Sequence, residues 1–187
     1  YCQEDHKPVG LLEACAQLGR HNYKRCVVFH SLSKRSNLPG LRSGFVAGDA
    51  EIMADFLKYR TYHGSAMSVQ NQLASIVAWN DETHVLLNRE RYRHKFKAVL
   101  DILSPVMNIT QSDASFYLWP ETNISDEAFA QKLYEHEHVT VLPGSYLSRT
   151  VDKLNPGANR IRMALVASEE DCIEAAKRIK RFVMSCQ

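Results

Sequence analysis

No stretch of this sequence approaches the ~20 consecutive apolar residues that a membrane-spanning helix needs, so we predict no membrane span. An excess of charge is also lacking, because 23 Lys and Arg are balanced by 21 Asp and Glu, for a formal net charge of +2. Such a balance provides no general electrostatic attraction for nucleic acid or for an anionic membrane surface. We therefore expect neither nucleic acid nor a membrane among the partners.

Cysteine and histidine motifs are missing as well. The five cysteines are scattered, odd in number and without a CxxC pair, which argues against a disulfide framework and favours the reducing cytosol. His136 and His138 end a polar helical stretch, and their spacing does not match a closed ligand set. We predict that the chain holds no metal.

What remains is the composition of an ordinary globular protein, with 45% hydrophobic and 24% charged residues among 187. The chain begins at Tyr1 without a methionine, and its first ten residues look like the exit from a strand. We therefore expect a piece of a longer protein.

Helical and strand patterns alternate along the chain, which predicts the α/β class. In the first eighty residues the predicted elements are a helix over 9–19, a buried strand over 25–30, a loop over 31–40, a strand over 43–48, and helices over about 50–62 and 68–80. A long amphipathic helix follows over 81–103. Beyond it we predict strands over 115–119, 139–142 and 160–166, a helix capped by Ser125, and a closing helix capped by Ser168.

The most informative stretch lies between the first two predicted strands. It reads Ser31-Leu32-Ser33-Lys34 and then Gly40-Leu41-Arg42-Ser43-Gly44. Functional side chains are often displayed on loops at strand ends. By itself, however, a lysine in such a loop is most often simply solvated.

This stretch resembles the cofactor-lysine segment of the class I and II aminotransferases, the fold-type-I pyridoxal-phosphate enzymes. SFYLWPE, VLPG and NRIRMALVA follow in the order and rough spacing of that family's small domain. The resemblance implies the carboxy-terminal half of a fold-type-I transferase. It also implies pyridoxal 5′-phosphate as cofactor, amino-acid and 2-oxo-acid substrates, and a homodimer. Residues 1–80 would be a remnant of the large cofactor-binding domain, 81–104 a connecting helix, and 105–187 the small domain.

The resemblance also implies residue roles. Lys34 would hold the cofactor and act as the catalytic base and acid, while Arg42 and Ser31 would bind the cofactor phosphate; Ser33 is a weaker candidate. Arg162 would bind the substrate carboxylate, although from the strand pattern alone it is an arginine on a wet sheet face beside Arg160.

The resemblance also has implications for the segment between two predicted helices and for the residues that bind the cofactor ring. The segment 59–68 is either an approach to a partner subunit's cofactor, with Tyr62, Ser65 and Ser68 as contributors, or an ordinary connection between helices. The family's aspartate and tyrosine for the cofactor ring belong before Tyr1. We therefore expect the isolated chain to be inactive.

Within the family, SKRSNLPGLRSGFVAGD and YRTYHGSAMS resemble the succinyldiaminopimelate transaminases of bacterial lysine biosynthesis. The implied reaction exchanges an amino group between N-succinyl-LL-2,6-diaminopimelate and 2-oxoglutarate. The alternatives are another class I aminotransferase and an enzyme-like effector domain of a transcription regulator.

Overall fold

The computed structural model describes residues 8–185, which fall into two compact units. The amino-terminal unit is Pro8–Asn88, and the carboxy-terminal unit begins at Arg89. The strand exit predicted for the first residues lies outside the described part of the chain. Within residues 8–185, no helix is both long and apolar enough to cross a membrane.

The amino-terminal unit contains two paired antiparallel strands and several helices. Its elements are α1 (Leu11–Gln17), β1 (Val27–Ser31), α2 (Leu32–Arg35), a 3-10 turn (Pro39–Leu41), β2 (Gly44–Gly48), α3 (Ala50–Tyr62) and α4 (Val69–Asn80). The strand register runs from Val27 opposite Gly48 to Ser31 opposite Gly44. The two strands and both long helices therefore lie where the sequence patterns placed them, within two residues at each end.

Two details of this unit differ from the predictions. The strand predicted to be buried is largely open, and the Phe29 side chain is 71% exposed. Among the described residues β1 pairs only with β2, so its other edge has no partner strand. The predicted loop also contains a helical turn, α2, because the Ser31 hydroxyl accepts the Ser33 N–H at 3.1 Å and caps it.

The carboxy-terminal unit contains most of α5 (Thr83–Leu103), the helix that crosses the division between the units. The elements that follow are β3 (Tyr117–Leu118), α6 (Asp126–Glu137), β4 (Leu142–Pro143), a 3-10 turn (Gly144–Leu147), β5 (Ile161–Ala164) and α7 (Glu169–Ser185). The strand order is β3-β5-β4, and both pairs are antiparallel.

The outer strands of this sheet are shorter than predicted. Of the strand predicted over 139–142 only Leu142 belongs to β4, together with Pro143 just beyond the predicted range. Of the strand predicted over 115–119 only Tyr117 and Leu118 belong to β3. The Gly144 N–H still donates to the Arg160 carbonyl oxygen at 2.7 Å, but the chain there enters the 3-10 turn Gly144–Leu147, which ends β4. A local pattern shows which residues favour a strand, whereas the partner strand decides how many of them pair.

The core of the carboxy-terminal unit is built on the strand over 160–166 and the capped helices predicted from the sequence. Along β5 the side chains of Ile161 and Met163 are 0% and 7% exposed, while Arg162 between them is only partly buried. Both predicted caps are present: Ser125 Oγ accepts the Ala128 N–H at 3.3 Å, and Ser168 Oγ accepts the Asp171 N–H at 3.1 Å. The buried apolar residues of α5 from Tyr92 onward, of α6, of the sheet and of α7 form one hydrophobic cluster. Because these buried residues form one cluster, the unit has a core of its own. Burying each large apolar side chain in it contributes about 1.5–3 kcal/mol to stability.

Candidate functional site

Lys34 lies in α2, the short helix that links β1 to β2. Its side chain is exposed and lines an open cavity of ≈ 510 Å³. The complete lining is Phe29, His30, Ser31, Lys34, Gly44, Phe45 and Val46. Lys34 and Ser31, two of the residues singled out in the sequence, therefore share one groove.

Gly44 closes the strand pair beside this groove. It lies opposite Ser31 in the ladder, and a Cβ built on it would come 2.6 Å from the His30 carbonyl oxygen. A distance that short forces the backbone to move, so any side chain at this position would push the strands apart. The glycine of the motif has a structural role that the sequence alone did not explain.

Arg42 lies at the end of the 3-10 turn, in the left-handed region with φ 50°. One Nη1 N–H donates to the Pro39 carbonyl oxygen at 3.0 Å, and the side chain is exposed. Arg42 is not part of the lining of the Lys34 groove, although the same β1–β2 connection carries it. A guanidinium has five N–H donors, so the bond to Pro39 leaves several for a ligand.

These donors fit pyridoxal phosphate by their chemistry. A primary amine is the group that bonds covalently to a carbonyl cofactor. A guanidinium and a hydroxyl are suitable donors to a phosphate dianion. The Ser31 oxygen acts as an acceptor toward Ser33, which leaves the hydroxyl hydrogen for a phosphate oxygen.

The sequence analysis overlooked Arg35, which anchors α2. Its guanidinium donates to the Ala78 carbonyl oxygen at 2.9 Å, forms an ion pair with Glu82 and lies 5.0 Å from the centre of the Trp79 ring. Only 9% of the side chain is exposed. Arg35 thereby ties the helix that carries Lys34 to α4. Nothing in the local sequence distinguishes this arginine from a solvated neighbour, because its partners lie more than forty residues away.

In the carboxy-terminal unit, the structure separates the roles of two neighbouring arginines. Arg160 forms an ion pair with Glu121 at 2.5 Å and donates to the Trp119 carbonyl oxygen at 3.2 Å. Arg162 has no acidic partner among residues 8–185, and its Cζ lies 5.7 Å from the centre of the Tyr117 ring. The charge of Arg160 is thus already neutralised, whereas that of Arg162 is available to an anion.

Arg162 lines an open cavity of ≈ 550 Å³ on the sheet face that points away from the core. Hydroxyl and aromatic side chains supply much of the remaining wall. The lining is Thr110, Ser112, Ala114, Ser115, Tyr117, Trp119, Leu147 and Arg162. The sequence analysis noted SFYLW as a motif but did not assign its aromatic side chains to this surface.

The stretch from Tyr62 to Ser68 connects α3 to α4. Ser68 caps α4 by accepting the Asn71 N–H at 3.4 Å, and the Tyr62 side chain is 82% exposed. Both the connecting role and an approach to a partner subunit are compatible with this geometry. No cluster of three His, Cys, Asp or Glu side chains suited to a metal occurs within residues 8–185.

The sequence profile of the family described as Aminotransferase class I and II matches residues 3–179. The chain belongs to this family. Its members depend on pyridoxal phosphate, which agrees with the cofactor expected from the Lys34 motif.

Known proteins support the same assignment. A crystal structure of an aminotransferase from Neisseria meningitidis is 49% identical and has a TM-score of 0.89 over 97% of this chain and 48% of that one. The LL-diaminopimelate aminotransferase of Aquifex aeolicus is 34% identical over 161 residues, which are 83% of this chain and 40% of that protein. A Thermus thermophilus structure described as a probable N-succinyldiaminopimelate aminotransferase is 27% identical, with a TM-score of 0.74 over 86% of this chain and 43% of that one.

The chain thus spans less than half the length of these relatives. The resemblance drawn from residues 31–44 is confirmed, and so is the α/β fold class shared with part of an aminotransferase.

Proposed function

We propose that the full-length protein carrying this chain is a pyridoxal-phosphate-dependent aminotransferase in which Lys34 holds the cofactor. The observation that carries this proposal is the groove beside α2. There the Lys34 amine and the Ser31 hydroxyl line one cavity, and Arg42 follows in the same connection. Ser31 and Arg42 bind the cofactor phosphate in this proposal.

Each residue then has a chemical task. When bound, pyridoxal phosphate supplies the electron sink that stabilises negative charge at the substrate α-carbon. Lys34 takes the proton from that carbon as a general base and returns one as a general acid. Arg162 binds the substrate α-carboxylate through paired N–H donors. The contrast with Arg160, whose charge Glu121 neutralises, supports this choice.

We further propose that the substrates are N-succinyl-LL-2,6-diaminopimelate and 2-oxoglutarate, in lysine biosynthesis. The support is the resemblance of residues 33–49 and 59–68 to that group, together with relatives that act on diaminopimelate by name. Every amino-acid substrate has an α-carboxylate, so an arginine that binds this group does not distinguish one substrate side chain from another. The proposed substrates therefore need an assay of their own.

The cytosol and a homodimer complete the proposal. Cys15, Cys26 and Cys172 are buried free thiols, as expected in a reducing compartment. Burial raises the pKa of the Cys172 thiol above its ordinary value, which keeps it protonated and unreactive. Analytical ultracentrifugation of the full-length protein measures its oligomeric state, and a monomer at micromolar concentration would contradict the dimer.

The test of Lys34 is chemical. Borohydride reduction of the cofactor-loaded full-length protein, followed by peptide mapping, is expected to place the pyridoxyl group on Lys34. Lys34→Ala is expected to abolish amino-group transfer, with the fold retained. Lys58→Ala, at an exposed position on α3, is the matched control and is expected to behave as wild type. A label on another lysine would show that the assignment is wrong.

The substrate test is a panel assay. The full-length protein is given glutamate as amino donor and a series of 2-oxo acids, including the oxo form of the succinylated diaminopimelate. A kcat/KM at least tenfold higher for that acceptor supports the proposal. A preference for another 2-oxo acid would keep the aminotransferase assignment and replace its substrate.

A further inference from the structure

The side chain of Tyr117 lies beneath the guanidinium of Arg162. The two residues are diagonal neighbours on adjacent strands, because Tyr117 pairs with Ala164 in the β3–β5 ladder. Diagonal neighbours are within reach of aromatic and long side chains. The separation between Arg162 Cζ and the Tyr117 ring centre is 5.7 Å, within the range of a cation–π contact.

Among the described neighbours of Arg162, the Tyr117 ring is the group that orients the guanidinium. Leu142 and Ala164, the backbone neighbours of Arg162 and Tyr117 in the ladder, have no polar side-chain atom. No hydrogen bond from the Arg162 side chain to another residue of the described chain occurs, and Glu121 is paired with Arg160 instead. An arginine that is not held in place samples many rotamers, and ordering it on binding costs free energy.

The contact also leaves the arginine available to an anion. A ring that lies against the flat face of a guanidinium does not occupy its N–H edge, which is where a carboxylate forms two parallel hydrogen bonds. Arg162 and Tyr117 both line the ≈ 550 Å³ cavity. The ring can therefore hold the guanidinium at the cavity wall without competing with a carboxylate.

We propose that Tyr117 is a positioning residue that holds Arg162 in the orientation that binds the substrate carboxylate. The inference rests on the proposed role of Arg162 and adds to it the residue that prepares the arginine for binding. The ring is the required part and the hydroxyl is not, because the attraction comes from the face of the aromatic ring.

Three variants of the full-length protein test the proposal, with glutamate as the amino donor. Tyr117→Leu keeps an apolar side chain but removes the ring, and is expected to raise the KM about 2- to 30-fold, the range that a cation–π contact of about 0.5–2 kcal/mol allows. Tyr117→Phe keeps the ring and is expected to retain the wild-type KM. Tyr134→Leu, at an exposed tyrosine of α6, is the control for removing a tyrosine elsewhere in the unit.

Further readouts separate positioning from general damage. In Tyr117→Leu, kcat, the thermal midpoint and the visible absorbance of the bound cofactor are expected to change little, while the inhibition constant of propionate rises with the KM. A loss of cofactor or a lowered midpoint without rescue by Tyr117→Phe would mean a merely structural role and overturn the proposal.

Arg162→Lys separates this proposal from the proposed function. If Arg162→Lys raises the KM and Tyr117→Leu does not, the inference about Tyr117 is wrong and the role of Arg162 stands. If Arg162→Lys leaves the KM unchanged, the proposed role of Arg162 fails, whatever Tyr117 does.

Discussion

Asp126 should be one of the most costly polar residues to remove from the carboxy-terminal unit. It begins α6, only 4% of the residue is exposed, and its carboxylate accepts three hydrogen bonds from other residues. Ser145 donates its N–H at 2.8 Å and its hydroxyl at 2.6 Å, and Asn159 donates its N–H at 3.2 Å. The carboxylate thereby joins α6 to the turn after β4 and to the approach to β5.

The expected magnitude follows from these bonds. A hydrogen bond to a charged group contributes about 1.5–3 kcal/mol. Asn159 is exposed, so water can replace its hydrogen bond to the carboxylate. The two bonds from the partly buried Ser145 therefore account for most of the stability lost in the variant. We therefore expect Asp126→Ala to lower the free energy of unfolding by about 3 kcal/mol. Glu127→Ala removes an exposed carboxylate from the same helical turn and should cost less than about 1 kcal/mol.

Urea unfolding followed by tryptophan fluorescence measures both changes. The chain has two tryptophans, one in each unit, so a Trp79→Phe background reports the carboxy-terminal unit through Trp119. If Asp126→Ala costs no more than Glu127→Ala, the carboxylate does not link the elements as described.

The same residue predicts a dependence on pH. Burial raises the pKa of Asp126, but the hydrogen bonds from Ser145 and Asn159 outweigh burial, and the pKa lies below its ordinary value of 3.8. A carboxyl whose pKa is lowered by folding stabilises the fold above the unfolded value and loses that contribution as the pH falls through the folded value. The difference in unfolding free energy between wild type and Asp126→Asn should therefore be constant near neutral pH and shrink below about pH 4. A difference that stays constant down to pH 3 would refute the reasoning.

Three further predictions concern the amino-terminal unit and the isolated chain. Gly44→Ala places a Cβ 2.6 Å from the His30 carbonyl oxygen and should destabilise the unit by about 1–3 kcal/mol. Gly40→Ala is the control, because no atom lies within 4 Å of its new Cβ, and it should not destabilise the unit. Urea unfolding in a Trp119→Phe background compares the two variants. Arg35→Ala leaves the Ala78 carbonyl oxygen without its side-chain donor and should lower the free energy of unfolding by about 2 kcal/mol in the same assay. Lys24→Ala removes an exposed ion pair and should lower it by less than about 1 kcal/mol. The isolated 187-residue chain should bind pyridoxal phosphate weakly and transfer no amino group from glutamate, and tight stoichiometric binding with turnover in a visible-absorbance titration would contradict this.

Local features of the sequence determined much of the fold. The amphipathic pattern over 81–103 predicted α5, and its residues Val85, Tyr92 and Val99 are at most 4% exposed. The strand pattern over 160–166 predicted β5, and Ser125 and Ser168 marked helix starts that the structure confirms. These features depend on residues close together in the chain, where helical and strand periods dictate which side chains share a face.

The motif around Lys34 was readable for the same reason. One connection between two strands carries the lysine, the small residues before it, and the glycine and arginine after it. Residues that are close together in this part of the sequence are therefore also close together in the fold. That relation was enough to indicate the family. It was not enough to reveal Arg35, whose anchoring partners come from the distant helix α4.

Tertiary structure alone decided the properties that depend on distant partners. The sequence shows two similar arginines in β5, and only the fold pairs Arg160 with Glu121 and places Arg162 over Tyr117. The sequence also predicted a buried β1, whereas Phe29 in this strand is 71% exposed and β1 pairs only with β2 among the described residues. The period of a strand determines the face on which a side chain lies, whereas packing against distant segments determines what covers that face and which charge meets its partner.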